Sequence, residues 1–170
     1  VEMPETGDDS RQYGPFVKGK SAYYMSLNRG KQSIALNLKQ EADREVFDAL
    51  LEHADVLIEN YRPGTMAKLK YDWAALHPQY PRLIYAAASG FGQTGPYAQR
   101  PAYDVIVQAM GGIMSMTGFP EMPPARVSTS VGDITAGLFS AIGINAALYY
   151  RQQTGEGMFL DVSMLDCQVA

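Results

Sequence analysis

The chain has 170 residues, 46% of them hydrophobic and 19% charged, with a formal net charge of −4. That composition excludes a disordered chain, and the acidic balance excludes a basic nucleic-acid footprint. One cysteine, Cys167, excludes a disulfide framework and a cysteine metal cluster. The lone thiol fits a reducing, cytoplasmic setting. No run of 18 apolar residues occurs, so no transmembrane helix or membrane partner is expected, and the first nine residues lack a signal-peptide layout. His53 and His77 stand on separate predicted elements, so no metal site is expected.

Residues 1–20 are rich in Gly, Pro and charge and read as a loop. The opening Val1-Glu2-Met3-Pro4 is abrupt for a domain, as though a strand and helix preceded it. Tyr23, Tyr24, Met25 and Leu27 form an aromatic patch before a basic turn, Asn28-Arg29-Gly30-Lys31. Residues 33–37 read as a strand and 39–54 as a helix, with Val46, Phe47, Leu50 and Leu51 at helical spacing on its buried face. Residues 55–59 are a near-continuous apolar strand, the kind buried in a parallel sheet. A short helical piece follows, and another runs from the Asp72 cap to Pro78. A third, small-residue strand spans 82–89.

Alternating strands and helices predict an α/β fold with a parallel sheet. Ligands of such sheets sit beyond the carboxyl ends of the strands, which puts the loops 60–64 and 90–101 on the binding edge. The second loop, Gly90-Phe91-Gly92-Gln93-Thr94-Gly95-Pro96, lacks the spacing of a P-loop or a dinucleotide fingerprint and reads as a Gly-Pro turn. Residues 102–116 predict a helix interrupted near Gly111-Gly112. After a Pro-rich loop at 119–124, a β-prone run at 127–131 meets Gly132 and Asp133. A long helix then runs from about Ile134 to Arg151, its apolar face made by Leu138, Phe139, Ile142 and Leu148. Gly137 and Gly143 allow close packing, and Gly155 is the expected C-terminal cap. Residues 157–163 predict another strand, and a last helix is still apolar at Ala170. Both ends look truncated.

Two readings stand at Asp133. It can cap a helix, accepting bonds from the first free amides. It can also be a nucleophilic carboxylate, with helix amides favouring its ionised form and stabilising charge on a substrate oxygen.

Several stretches taken together resemble one family, the class III CoA-transferases, the formyl-CoA and carnitine CoA-transferase family that also includes α-methylacyl-CoA racemases. They are Val1-Glu2-Met3-Pro4, Asn28-Arg29-Gly30-Lys31 with Ser33-Ile34, and the run from Ala54 through Asn60-Tyr61-Arg62-Pro63-Gly64. Leu83-Ile84-Tyr85, the Ser89 to Pro96 turn, Tyr103-Asp104, Gly132-Asp133, Thr154-Gly155-Glu156-Gly157 and the Asp161 to Asp166 run follow in family order. The resemblance covers nearly the whole chain.

It implies a Rossmann-like parallel-sheet domain, here residues 1–170 as part of a CoA-binding catalytic large domain, with a second domain outside this chain. It implies an interlocked homodimer at full length and a site completed by a Gly-rich loop from elsewhere. The family nucleophile falls on Asp133. CoA-contacting positions fall on Leu36, Asn60, Tyr61 and Lys68, with Ala102, Tyr103 and Asp104 near the thioester. A further family contact, often Arg, falls on Met3.

The implied reaction moves CoA between carboxylic acids through an aspartyl anhydride and an aspartyl-CoA thioester, with coenzyme A as the carried group, no metal, and small dicarboxylates such as succinate among the acids. One alternative is an acyl-CoA racemase of the same fold. It needs an acid/base pair, and the racemase His position holds Tyr103, a phenol poorly suited to act as a base at neutral pH. The other is a CoA-binding fragment without catalysis.

Overall fold

Three parallel strands organise the second half of the chain: β3 (Val56–Glu59), β4 (Ile84–Ser89) and β5 (Phe159–Ser163), in spatial order β3-β4-β5. The computed structural model describes residues 1–170, which divide into two units, Val1–Glu52 and His53–Ala170.

In the first unit, β1 (Phe16–Val17) and β2 (Lys20–Ser21) form a small antiparallel ladder, followed by the helices α1 (Ala22–Leu27) and α2 (Glu41–Leu51). The predicted strand at 33–37 is reduced to a single parallel bridge, Ala35 to Glu2. There the Glu2 amide donates to the Ile34 carbonyl and the Leu36 amide donates back to Glu2, both at 2.9 Å. The Glu2 carboxylate accepts from Arg11 Nε at 2.7 Å and Nη2 at 2.6 Å, from the Asp8 amide at 2.7 Å, and from the Ser33 hydroxyl. Those donors, Arg11 first, hold its pKa down at about 2.

The α2 helix starts two residues later than the sequence predicts. Asn37 makes a local turn: its side chain accepts from the Lys39 amide at 3.1 Å and its carbonyl from Gln40 at 2.8 Å, so those donors are already used. Of its expected buried face, Phe47 and Leu51 are buried, while Val46 and Leu50 are exposed.

In the second unit β4 is central and its first four residues, Ile84 to Ala87, are buried, as a strand covered on both faces must be. The register pairs Leu57 with Tyr85 and Tyr85 with Phe159. Between β3 and β4 lie α3 (Thr65–Leu69) and α4 (Trp73–Leu76). Trp73 stacks on Phe159 with ring centroids 6.0 Å apart, so α4 lies on the face carrying Tyr85 and Phe159. Between β4 and β5 come α5 (Asp104–Met110), α6 (Ile113–Met116) and α7 (Val131–Thr154), and α8 (Met164–Val169) follows β5. The break between α5 and α6 falls at Gly111-Gly112, as predicted. Val107, Ala136, Val162 and Met164 form a core among α5, α7, β5 and α8. Burying a Val or Met side chain of this kind contributes roughly 1.5–3 kcal/mol.

The α7 helix departs most from its expectation. Its buried residues are Gly132, Ala136, Ser140 and Ala147, while Leu138, Phe139 and Ile142 are exposed. The face against the sheet is the small-residue face. Gly143 lies against Leu160, where an added Cβ would already be in tight contact at 3.4 Å; Gly137 faces open space. Small side chains bring the helix axis close to the strands, so the large residues point the other way. By length and composition α7 is apolar enough to cross a membrane, although it holds no run of 18 apolar residues. It packs on β4, β5, α5 and α8 along its small-residue face and leaves the large apolar residues of the other face exposed.

Gly155 ends α7 at φ +81°, its amide donating to Arg151, as predicted. Arg151 reaches from that end to the Asp55 carboxylate at 2.7 Å and the Arg82 carbonyl at 3.1 Å, tying it to the chain entering β3 and β4. At Gly157 any Cβ would collide with the Leu83 backbone, and its amide donates to Pro81 at 2.7 Å.

Candidate functional site

The helix α7 begins at Val131, with Ser130 in the cap position, so Asp133 is its third residue and not its cap. Residues 127–130 form no strand, against the sequence expectation. The reason lies 19 to 28 residues upstream on α5. Gln108 Oε1 accepts from the Val127 amide at 2.9 Å, and its Nε2 lies 3.3 Å from the Val127 and Thr129 carbonyls. Asp104 Oδ1 accepts from the Gly132 amide at 2.7 Å and thereby serves a free amide of the helix start. The second carboxylate oxygen of Asp104 accepts from Gln108 Nε2 at 2.6 Å. Both side chains are buried, and each is satisfied, as buried polar groups must be. Local sequence cannot display a cap donated from another helix.

Asp133 itself is exposed, yet the protein around its carboxyl is enough to raise its pKa, desolvation first and the Asp104 charge second. A hydrogen bond with Ser130 pulls the other way. A carboxylate with raised proton affinity and few donors is poorly stabilised as an anion, and that favours attack on an electrophile.

The chain leading into α5 is shaped by close contacts. Gly90 faces Ala102 so closely that no side chain fits between them, and its carbonyl accepts from Leu165 at 3.1 Å. Gly92 turns at φ +81°, and the next amide, Gln93, donates to both oxygens of Asp161 at 3.0 and 2.9 Å. The loop is a structural turn held by β5. Ala102 is half-buried, Tyr103 is 77% exposed and Asp104 is turned inward. Of the three residues expected near the thioester, Tyr103 faces solvent and Asp104 is committed to Gly132 and Gln108.

A second group of expected residues follows β3. Glu59 ends that strand, and its carboxylate accepts from the Tyr61 amide at 2.6 Å and from the Tyr85 hydroxyl. Burial raises the pKa of both Glu59 and Tyr85. Asn60, Tyr61 and Lys68 are exposed, and Gly64 at φ +85° admits the turn into α3. Beside them lies a cleft of about 290 Å³ lined by Glu59, Arg62, Trp73, Tyr85, Gln93 and Phe159, among others. Open amide and phenol groups with the cations of Arg62 and Lys68 are a donor set that fits an anionic, phosphate-bearing ligand such as CoA. In the first unit Leu36 is buried, so it offers backbone more than side chain, and Met3 is exposed.

The structure therefore brings Asp104 to Asp133 and keeps Asn60 and Tyr61 on the loop after β3, with Lys68 on α3 just beyond it. Sequence reasoning missed Gln108, Ser130, Glu59 and Tyr85. The only signal for Gln108 is its place four residues after Asp104, on the same helix face.

The sequence model of CoA-transferase family III matches residues 1–170. The chain is 54% identical over 171 residues to the acetyl-CoA:oxalate CoA-transferase of Acetobacter aceti, matching all of this chain and 44% of that protein. It is 44% identical to the succinate–glutarate CoA-transferase of Agrobacterium fabrum, again over 100% of this chain and 44% of the relative. The crystal structure of a CaiB/BaiF family protein from Brucella suis superposes with a TM-score of 0.93 at 43% identity, covering 99% of this chain and 46% of that one. The chain thus spans a little under half the length of the relatives it matches.

Proposed function

The chain belongs to CoA-transferase family III, and from that premise we propose that the full-length protein moves CoA between two carboxylic acids with Asp133 as nucleophile. The observation that carries this reading is Asp133 itself: an exposed carboxylate in the first turn of α7, its pKa raised, beside a buried and fully paired Asp104.

In the proposed sequence a carboxylate oxygen of Asp133 attacks the carbonyl carbon of the donor thioester. The carbon–sulfur bond breaks, CoA leaves as a thiolate, and a mixed anhydride remains. The thiolate then attacks the Asp133 carbonyl, releasing the donor acid and leaving an aspartyl-CoA thioester. The acceptor carboxylate attacks that thioester, its carbon–sulfur bond breaks, and CoA leaves again as thiolate from a new anhydride. Thiolate attack on its acyl carbon releases the product and restores Asp133. Each step exchanges one acyl bond for another, which is covalent catalysis. The positive end of the α7 dipole lies at this helix start and favours the oxyanions that develop during each exchange. Asn60, Tyr61 and Lys68 hold the CoA nucleotide, and Ala102 and Tyr103 flank the thioester end.

The named relatives act on oxalate, succinate and glutarate, which supports a small dicarboxylate as one partner acid here. An interlocked homodimer and a cytoplasmic location belong to the same proposal; light scattering and cell fractionation of the full-length protein test them.

Full-length protein is to be incubated with a panel of acyl-CoA donors and acids and the CoA products read by mass spectrometry. Adding hydroxylamine during turnover should convert residue 133 to a hydroxamate, seen as a peptide mass shift. No shift in a protein that is turning over substrate would remove Asp133 as the acylated group. Exchange of the α-proton of a branched acyl-CoA in deuterated water, without any acceptor acid, would point to a racemase instead.

A further inference from the structure

We propose that Gln108 is a positioning residue for the reaction at Asp133, acting through Asp104 and the segment 127–132. This rests on the reading of Asp133 as nucleophile. Gln108 is fully buried, at 0% exposure, and its one amide group holds two things at once. The Nε2 group donates to Asp104 Oδ2 at 2.6 Å while Asp104 Oδ1 holds the Gly132 amide at 2.7 Å. The Oε1 atom accepts from the Val127 amide at 2.9 Å, and Nε2 also approaches the Val127 and Thr129 carbonyls. The carboxylate beside the helix start and the chain entering that helix are both fixed by this side chain.

Residue type and position follow from the task. An amide carries donor and acceptor at one end, which a carboxylate or an ammonium does not. Glu here would set an anion against Asp104, and Asn would be one carbon short. Spacing of four on α5 brings Gln108 under Asp104. Gly132, immediately before Asp133, leaves room for nothing larger: a Cβ there would lie 2.8 Å from Val107 and 3.1 Å from Asp104. Nucleophiles are sensitive to such placement, since a shift of about 1 Å can lower a rate by a hundredfold.

The other elements packed against α7 carry Tyr85 on β4, Asp161 on β5, and Asp166 and Cys167 on α8. The charge that acts on the Asp133 carboxyl is that of Asp104. Loss of the Gln108 donor frees one oxygen of Asp104 and lets its carboxylate swing away from Gly132, which weakens that action.

The test uses full-length protein and Gln108→Met, which keeps length and volume but removes every hydrogen bond. Transfer turnover should fall by on the order of tenfold to a hundredfold. KM for acyl-CoA should stay within about twofold, as for a loss felt in the reacting geometry and not in ligand binding. The acid limb of the rate–pH profile should move to lower pH. Asp104→Asn should move it the same way, and the double variant should add little, because the two act as one unit.

Wild-type turnover and an unmoved limb in Gln108→Met would make Gln108 a space filler and overturn the proposal. So would lost turnover with an unmoved limb, the sign of a general structural residue. If Gln108→Met does not fold, Gln108→Glu takes its place. Its extra negative charge should move the limb to higher pH, and an unmoved limb again overturns the proposal. Asp133→Asn runs alongside. If that variant transfers CoA at the wild-type rate, the nucleophile reading itself has failed, whereas a dead Asp133→Asn with an indifferent Gln108 defeats the positioning role alone.

Discussion

Glu2 and Asp133 are the same functional group in opposite circumstances. Glu2 is saturated with donors: Arg11 twice, the Asp8 amide and the Ser33 hydroxyl, and its pKa is pushed down to about 2. Asp133 has Ser130 for a partner, is partly desolvated, and faces the charge of Asp104, so its pKa is pushed up. The first arrangement makes a tie between chain segments and leaves the anion little reason to react. The second leaves an anion whose charge is poorly accommodated, which is useful to chemistry and unfavourable to folding. The pH linkage has opposite signs. Glu2 contributes stability above its ordinary pKa of about 4.5, lost as pH falls from there toward 2. Asp133 is best accommodated when protonated, and that contribution is lost as pH rises through its raised pKa.

The largest expected effect is at Asp133. Asp133→Asn in the full-length protein should reduce CoA transfer by on the order of a thousandfold or more, as nucleophile deletions do. Its thermal midpoint near pH 7 should hold or rise by roughly a degree or two. A midpoint falling by many degrees would mean that Asp133 is a structural carboxylate like Glu2, and the contrast would break.

Next in size is Lys68→Glu, at an exposed position on α3. Calorimetric titration with CoA should show affinity weakened by about tenfold at low salt, and by less at high salt, where exposed charges are screened. Unchanged affinity would remove Lys68 from the CoA set.

Asp104→Asn should shift the acid limb of the transfer rate to lower pH, because the repulsion that adds to desolvation in raising the Asp133 pKa is gone. A shift to higher pH would reverse the account of that pair. The smallest effect is at Glu2. Glu2→Gln should lower the thermal midpoint at pH 7 by roughly one or two degrees, since the ion pair with Arg11 is partly open to solvent. That difference should shrink as the buffer is taken below pH 4.5. A constant difference down to pH 2 would mean that packing, not charge, distinguishes the variant.

The elements with strong local signals were legible in the sequence. The apolar run 55–59 became β3, the small-residue run 82–89 became β4, and Gly155 ends α7 where its lack of a Cβ permits φ +81°. The resemblance to class III CoA-transferases was readable from scattered short motifs, and the family is borne out over the whole chain. What failed was non-local. Residues 127–131 read as β-prone, but Gln108 and Asp104 of α5 set the start of α7. Leu138, Phe139 and Ile142 suggested the inward face because size dominates periodicity, whereas the sheet accepts the glycine and alanine side. The loop after β3 was placed correctly, but the Glu59–Tyr85 contact behind it joins two strands and has no sequence signal.

The order in which β4 acquires its neighbours bears on how this protein is made on the ribosome. Its β3 partner has already emerged when β4 appears, but β5 begins about 70 residues after β4 ends. At a synthesis rate of roughly 5–20 residues per second, one edge of β4 waits on the order of 4–14 seconds for its permanent neighbour. That edge runs through Ala86-Ala87-Ala88, without the charge or proline that normally discourages a passing strand. Slowed translation between residues 90 and 158 would lengthen the exposure. Nascent chains paused there are therefore expected to be the form most in need of chaperone cover, and pausing at that interval should lower soluble yield more than pausing after residue 163.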